Sequence, residues 1–308
     1  MFTNVKVHNW TEQEYFGFDA VSNSLLKRMQ DEPATTFESF KGNDATKMGS
    51  AFDQMLLEPE RFRKEWTVVE DVRAPSGENQ SKMAKAILSG VDPVQAYNSC
   101  YAKPNEKKAL ELHESWWGWL ELQSNRNSLS EKQHNVLKQM KRNALGHTRA
   151  KEIVDSGDAQ VCLTGIHETT GLLVKGMVDV AWSSVFGECD VKTTSKPWSE
   201  ITGRWFFEGR NYDTQRALYG SLLRASGDYP AFETFRQGLI VVRTTNRLDC
   251  RVFDVSERLM EERYRGADFR ETAFEKLERL LLEYEWRKST DNWDYRTGYY
   301  KNNGIEVL

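Results

Sequence analysis

Hydrophobic and polar positions change period along the chain. Residues 1–20 show no regular alternation and read as irregular. Ser22-Asn23-Ser24 then precedes LLKRM, polar capping groups ahead of an apolar helical face, and Pro33 ends that helix. TKMGSAFDQMLL (46–57) repeats the helical spacing and closes at Glu58-Pro59. APSGENQS (74–81), rich in Pro, Gly, Ser and Asn, reads as a loop. From 81 to 154 the spacing is helical again through SKMAKAILSG, DPVQAYNSCY, NEKKALELHESWWGWLEL and SEKQHNVLKQMKRNAL, the last with Ser130 as its cap.

Beyond that point the period shortens. AQVCLTGIHE, GLLVKGMVDVAW and SSVFGECDVKTT are short, β-branched and separated by Gly or Ser turns, the pattern of a strand meander. NYDTQRALYGSLLRA (211–225) returns to helical spacing. TFRQGLIVVRT and LDCRVFDV read as two more strands before a helical run from 256 to about 288. The order implies an α/β fold, a central mixed sheet flanked by helices. The change of texture divides the chain into a helical N-terminal region, 1–155, packed on a core of 156–308 as one compact domain.

Bulk properties narrow the setting. With 308 residues, 39% hydrophobic and 29% charged, the chain resembles ordinary soluble proteins. No run approaches the ~18–20 apolar residues of a membrane span. The opening MFTNVKVHNWTEQEYF lacks the layout of a secretory signal, so the cytoplasm is the expected compartment and no membrane partner is expected. Cys100, Cys162, Cys189 and Cys250 are scattered and read as reduced thiols. A net charge of −4 leaves room for a local cationic groove. Phosphate-loop and G-x-S-x-G signatures are absent, and His113, His134, His147 and His167 are too dispersed for a zinc site or triad.

The chemistry concentrates in GECDVKTTS (187–195). On a strand, Glu188, Asp190 and Lys192 point to one face, and Cys189 and Val191 to the other. Asp179 lies on the preceding expected strand, and a turn through Ser183-Ser184 would set the two strands side by side. Two carboxylates so placed can share a divalent cation with Lys192 beside it. Taken alone, D-x-K is also the pattern of a solvated sheet edge. Glu188 is expected to be solvated at the strand start rather than to act as a partner of Lys192. Downstream, Gln215 and Tyr219 stand one helical turn apart on one face.

Taken together, these segments resemble the PD-(D/E)xK nuclease superfamily, and within it the phage exodeoxyribonuclease VIII and RecB-like branch. The matching segments are Tyr15, Val21-Ser22-Asn23-Ser24-Leu25-Leu26-Lys27, Pro33-Ala34 with Phe37, the helix Gly49-Ser50-Ala51-Phe52-Asp53 running into LEPERF, then Asp179, D-V-K-T-T and Q-R-A-L-Y. They cover about 15–65 and 160–225. The resemblance implies a restriction-endonuclease-like fold and a Mg²⁺-dependent deoxyribonuclease, with Mn²⁺ able to substitute. Asp179 and Asp190 would bind metal, Val191 would lend its carbonyl, and Lys192 would be the catalytic lysine. Gln215, Tyr219, Thr193 and Thr194 would serve DNA binding.

Two positions depart from the pattern. Asp53 replaces the family's His, either as an alternative metal ligand or as an ordinary helix residue. Gln160 stands where many relatives carry Glu, with Glu152, Asp155 or Asp158 as substitutes, so one or two metals remain open. The implied activity is exonuclease action on linear duplex DNA ends in phage recombination or DNA processing. A single-strand exonuclease, a structure-specific endonuclease and a silent DNA-binding relative are the alternatives. The implied partners are DNA, a single-strand annealing protein and further copies of the chain in a trimeric or tetrameric ring; the implied location is the bacterial host cytoplasm.

Basic residues suggest a DNA path. Between 138 and 151, Lys138, Lys141, Arg142, Arg149 and Lys151 occur without an Asp or Glu, either a phosphate-tracking surface or a solvated helix face. Lys175, Lys196, Arg204, Arg210 and Arg216 flank the proposed centre. Arg204 and Arg210 accompany Trp198, Trp205, Phe206 and Phe207, a mixture suited to gripping DNA by charge and stacking or, equally, to core packing.

Overall fold

A computed structural model of the protein describes residues 1–38, 42–70, 72–201, 211–227, 236–245, 247–255, 260, 271–297 and 300. The chain forms two compact units, Met1–Lys41 with Asn143–Leu308, and Gly42–Arg142. This differs from the expected boundary near 155, because the first forty residues belong with the sheet.

The first unit is built on a mixed sheet. Strands β1 (Phe2–His8), β5 (Asp158–His167), β6 (Leu173–Ala181), β7 (Glu188–Thr194), β8 (Gln237–Arg243) and β9 (Cys250–Val255) lie in that spatial order, and β2 (Val21–Ser22) joins β6. All neighbouring pairs are antiparallel except β7–β8 and β2–β6. The stretch expected to be irregular therefore contains a strand and the helix Glu12–Gly17, capped by Thr11. Its alternation is hard to read because the register of β1 against β5 shifts between Thr3 and Lys6, where Asn4 adopts a left-handed backbone.

The helices Tyr212–Ala225 and Ala273–Thr290 pack with the sheet around Leu163, Val174, Val178, Leu218, Leu222, Leu277 and Leu281. Close approach depends on Gly176: a Cβ there would stand 2.9 Å from the Tyr219 ring. The expected helical run from 256 falls partly outside the described residues, and its described part is Ala273–Thr290.

The second unit is helical, as its 3.6-residue spacing implies, with the short parallel pair β3 (Thr67–Val69) and β4 (Ser128–Ser130). Asn43 caps Asp44–Leu57, and the Ser130 hydroxyl accepts from the Gln133 amide at 3.2 Å, as a helix cap should. The expected 74–81 loop is shorter than its composition suggests: Gly77, at φ 86°, leads directly into Glu78–Leu88. Met83, Tyr97, Trp116 and Leu120 form part of this unit's own core. Among the described residues no helix is long and apolar enough to cross a membrane.

Candidate active site

The two partners of one β6 edge open the site. β2 pairs at Val174 and Lys175, whereas β7 pairs only at Val180 and Ala181. Past that short ladder β6 and β7 diverge. The Val191 amide donates instead to the Asp179 carboxylate, at 2.8 Å from Oδ2. A carboxylate thus replaces a main-chain acceptor where the strands part, which sets Asp179 against the D-V-K segment.

The face of β7 follows the expected alternation. Cys189 and Val191 are buried on one side. On the other, Asp190 and Lys192 form an ion pair, and Lys192 Nζ also lies 3.3 Å from the Val191 carbonyl oxygen and 5.5 Å from the centre of the Tyr212 ring. From the helix above, Gln215 Nε2 donates to Asp190 Oδ1 at 3.0 Å. The expected Asp179, Asp190, Val191, Lys192 and Gln215 meet in one place.

Glu188 overturns its expectation. It is fully buried, not solvated, and its partner is Arg216 rather than Lys192. Arg216 is itself 0% exposed; it pairs with Glu188 Oε1 and reaches Asp190 Oδ1 at 2.9 Å. Gln237 on β8 completes the network by donating to Glu188 Oε2 at 2.7 Å and to the Arg216 carbonyl at 2.8 Å. β7 is a central strand covered by a helix, so charges on its outer face are enclosed. Local alternation carries no sign of that cover. The one available signal for Arg216 was its place beside Gln215 on a helix facing a strand with surplus carboxylates.

Burial and neighbouring charge shift these groups. The Asp179 carboxyl is pushed up to about 7 by burial and by the Asp190 carboxylate, against the pull of Lys192. Burial likewise raises Glu188 to about 8, although the Arg216 guanidinium opposes the rise. Burial works against ionisation of Asp190 too, but the Arg216 and Lys192 cations outweigh it and hold this carboxyl below the usual range. For Lys192, the Asp190 and Asp179 carboxylates overcome burial and keep the ammonium charged.

The remaining expected residues fall elsewhere. Tyr219 is buried against Gly176, and burial pushes its hydroxyl up to about 12. Thr193 is half-buried; Thr194 is buried, and its hydroxyl accepts from the Lys196 amide at 3.1 Å. The exposed Lys196 pairs with Glu200 at 2.9 Å. Arg204, Arg210, Trp205, Phe206 and Phe207 lie outside the described residues. Asp53 is half-buried on Asp44–Leu57, in the second unit.

Gln160 lies between the β5–β6 partners Ala159↔Val180 and Val161↔Val178 and has a left-handed backbone, φ 53°. Neither Glu152 nor Asp155 is drawn into the cluster: Arg149 and Ser184 hold the first and Lys151 the second. Asp158 is exposed at the start of β5. Lys175, expected to flank the centre, donates to the Tyr15 and Phe18 carbonyls at 2.7 and 2.6 Å, securing the end of Glu12–Gly17.

A mixed sheet that carries Asp179 and a D-x-K strand beneath a Gln-bearing helix is the restriction-endonuclease-like, PD-(D/E)xK arrangement. The chain belongs to the family of the PDDEXK-like domain of unknown function, DUF3799, whose model matches residues 22–297. Among solved structures it is similar to a protein described as a "Putative exonuclease" from Eubacterium rectale, at 13% identity over 87% of this chain and 89% of that one, with a TM-score of 0.32. No curated protein matches it.

Proposed function

We propose that the protein is a divalent-metal-dependent deoxyribonuclease that hydrolyses phosphodiester bonds at the ends of linear double-stranded DNA. The observation supporting this most directly is the meeting of Asp179, Asp190 and Lys192 on diverging strands, with Gln215 bonded to Asp190. Two carboxylates and the Val191 carbonyl are hard oxygen donors, a set suited to Mg²⁺, with Mn²⁺ able to substitute. Such a cation, when bound, polarises the phosphate and assists ionisation of water.

The chain's own groups supply the rest. Gln215 and Arg216 hold Asp190 in one orientation through Oδ1. Lys192 stays an ammonium beside the two carboxylates and offers positive charge to phosphate oxygens as attack builds negative charge on them. Water forms the new P–O bond as the ester bond to the departing nucleotide breaks. Tyr219 and Gly176 keep the helix carrying Gln215 close to β6. Thr193, Thr194, Lys196, Arg204 and Arg210 are proposed to contact DNA. The resemblance to the phage exodeoxyribonuclease VIII branch supports a role in phage recombination in the host cytoplasm, with an annealing protein and a ring of three or four copies.

The test is digestion of end-labelled linear duplex, single strand and closed circle in Mg²⁺. Linear duplex should shorten, and shortening should vanish in EDTA and in Lys192→Ala. Cutting of the closed circle would reassign the protein as an endonuclease; preference for single strands, as a single-strand exonuclease. DNA binding without turnover would leave a silent relative.

A further inference from the structure

The register of the D-x-K strand extends to cations on the two strands beyond it. Across β7, β8 and β9, Lys192 stands opposite Val241 and Val241 opposite Arg251, while Thr194 stands opposite Arg243. Partners directly across a sheet point to one face, so Arg243 and Arg251 share the face of Asp190 and Lys192. Two strand spacings set the Arg251 backbone about 10 Å from that of Lys192. Gln237, at the other end of the same β8 row, reaches Glu188, as this alternation requires.

Trp198 gathers these cations. It follows β7 on a segment tied down by the Thr244 amide and the Thr245 hydroxyl, which donate to the Thr194 and Ser195 carbonyls at 2.8 and 3.2 Å. The indole N–H donates to Asp249 Oδ2 at 2.6 Å and so fixes the half-buried ring. The Arg251 guanidinium lies 4.5 Å from the ring centre and that of Arg243 6.0 Å, both in cation–π range. Arg243 is buried; its guanidinium stands 3.6 Å from Asp249 Oδ1, and its Nε has no hydrogen-bond partner among the described residues. Arg251 is exposed and has no carboxylate partner among the described residues. Two guanidinium groups against one carboxylate leave one net positive charge.

We infer that Arg251, held against the Trp198 ring, clamps a DNA phosphate a few nucleotides from the bond being cut, with Arg243 as buried positive charge behind it. This rests on the reading of the chain as a nuclease. A guanidinium stacked on an aromatic ring keeps its charge and its planar fork of N–H donors, which matches two phosphate oxygens. Each nucleotide advances a duplex strand by about 3.4 Å, so about 10 Å reaches a phosphate near the scissile one. Trp198 acts by positioning the arginine, since stacking a base there would break the contact with Arg251. The clamp holds the strand and takes no part in hydrolysis.

The test follows binding of an end-labelled linear duplex by fluorescence anisotropy in EDTA across a KCl series, and cleavage of the same duplex in Mg²⁺. In Arg251→Gln, the plot of log affinity against log salt should become shallower by about one unit. The KM for DNA should rise several-fold, more than kcat falls. Trp198→Leu should act alike, and the two changes together should be no worse than either alone, because the ring works through the arginine. Arg63→Gln, an exposed position in the second unit, removes the same charge elsewhere and should leave the slope as it was. An unchanged slope in Arg251→Gln, with binding and cleavage intact, would overturn the inference and leave the nuclease standing. A salt-independent loss in Trp198→Leu that adds to that of Arg251→Gln would make the ring a base-stacking platform and overturn the clamp. An unaltered chain that neither binds nor cuts DNA would overturn the nuclease reading and the inference with it. Arg251 is exposed, so its variant should fold, and it decides alone if Trp198→Leu does not.

Discussion

Two charged regions of the sheet-bearing unit contrast sharply. On the helix Thr148–Ser156, Arg149 pairs with Glu152 at 2.7 Å and Lys151 with Asp155, all four side chains being largely in water. Around β7, Glu188, Asp190 and Arg216 are enclosed, and their partners come from a helix and from a strand far along the chain. Pairs of the first kind are set by helical spacing and each contributes little, because water screens them and long side chains lose freedom. Pairs of the second kind exist only in the fold, and removal of one member leaves a buried charge without a counterion. The enclosed charges hold Asp190, whereas those of 149–155 hold one another.

The sharpest way to break this comparison is at the enclosed cluster. Asp190→Asn should lower cleavage of linear duplex by a factor on the order of 10²–10³ or more, the scale at which loss of one preorganised charge acts on a transition state. Single-turnover digestion with an end label reads this. A variant with near-normal rate would separate the cluster from catalysis.

Next in size is Arg216→Met, which strands Glu188. Unfolding by denaturant should show a loss of about 3–5 kcal/mol, and restoring neutrality with Glu188→Gln in the same chain should recover part of it. Equal losses in the single and double variants would argue that shape rather than charge is the cause.

Acidity gives an intermediate effect with opposite signs in two conditions. In EDTA, the Asp179 carboxyl, pushed up to about 7 by burial and Asp190, favours its protonated form in the folded state. That stabilisation is complete below the ordinary carboxylate range and is lost as pH rises through about 7. With Mn²⁺ present the deprotonated form is the ligand, so affinity should rise over the same window and protons should be released on binding. Thermal unfolding in EDTA and calorimetry in Mn²⁺ measure the two arms, and Asp179→Asn should flatten both.

The smallest effect belongs to the exposed region. Arg149→Ala should change stability by no more than about 0.5–1 kcal/mol, and less in high salt. A larger loss would mean that Glu152, which also accepts from Ser184 at 3.1 Å, ties the helix to the β6–β7 turn through charge.

Much of the site was legible because its chemistry repeats at short range. A strand alternation separates Asp190 and Lys192 from Cys189 and Val191, and one helical turn separates Gln215 from Tyr219. Such spacings survive in any fold that uses a strand and a helix. Glu188 was misread because alternation reports which residues share a face, not whether that face meets water. Tyr219 shares a face with Gln215 as expected, yet the missing side chain at Gly176 draws it into the core. β1 was overlooked because a register shift at Asn4 interrupts its alternation, and its partner β5 lies about half the chain away.

By itself, then, the sequence determined which residues are candidates for the chemistry and which periodic elements present them, since both depend on neighbours a few positions apart. Tertiary structure alone decided that β6 and β7 part where Asp179 meets the Val191 amide, and that Arg216 is shut between Glu188 and Asp190. It also decided that Lys175 closes a helix end instead of facing a phosphate. The physical reason is that desolvation and ion pairing depend on what lies across the fold, and no local pattern encodes which distant element will cover a charge.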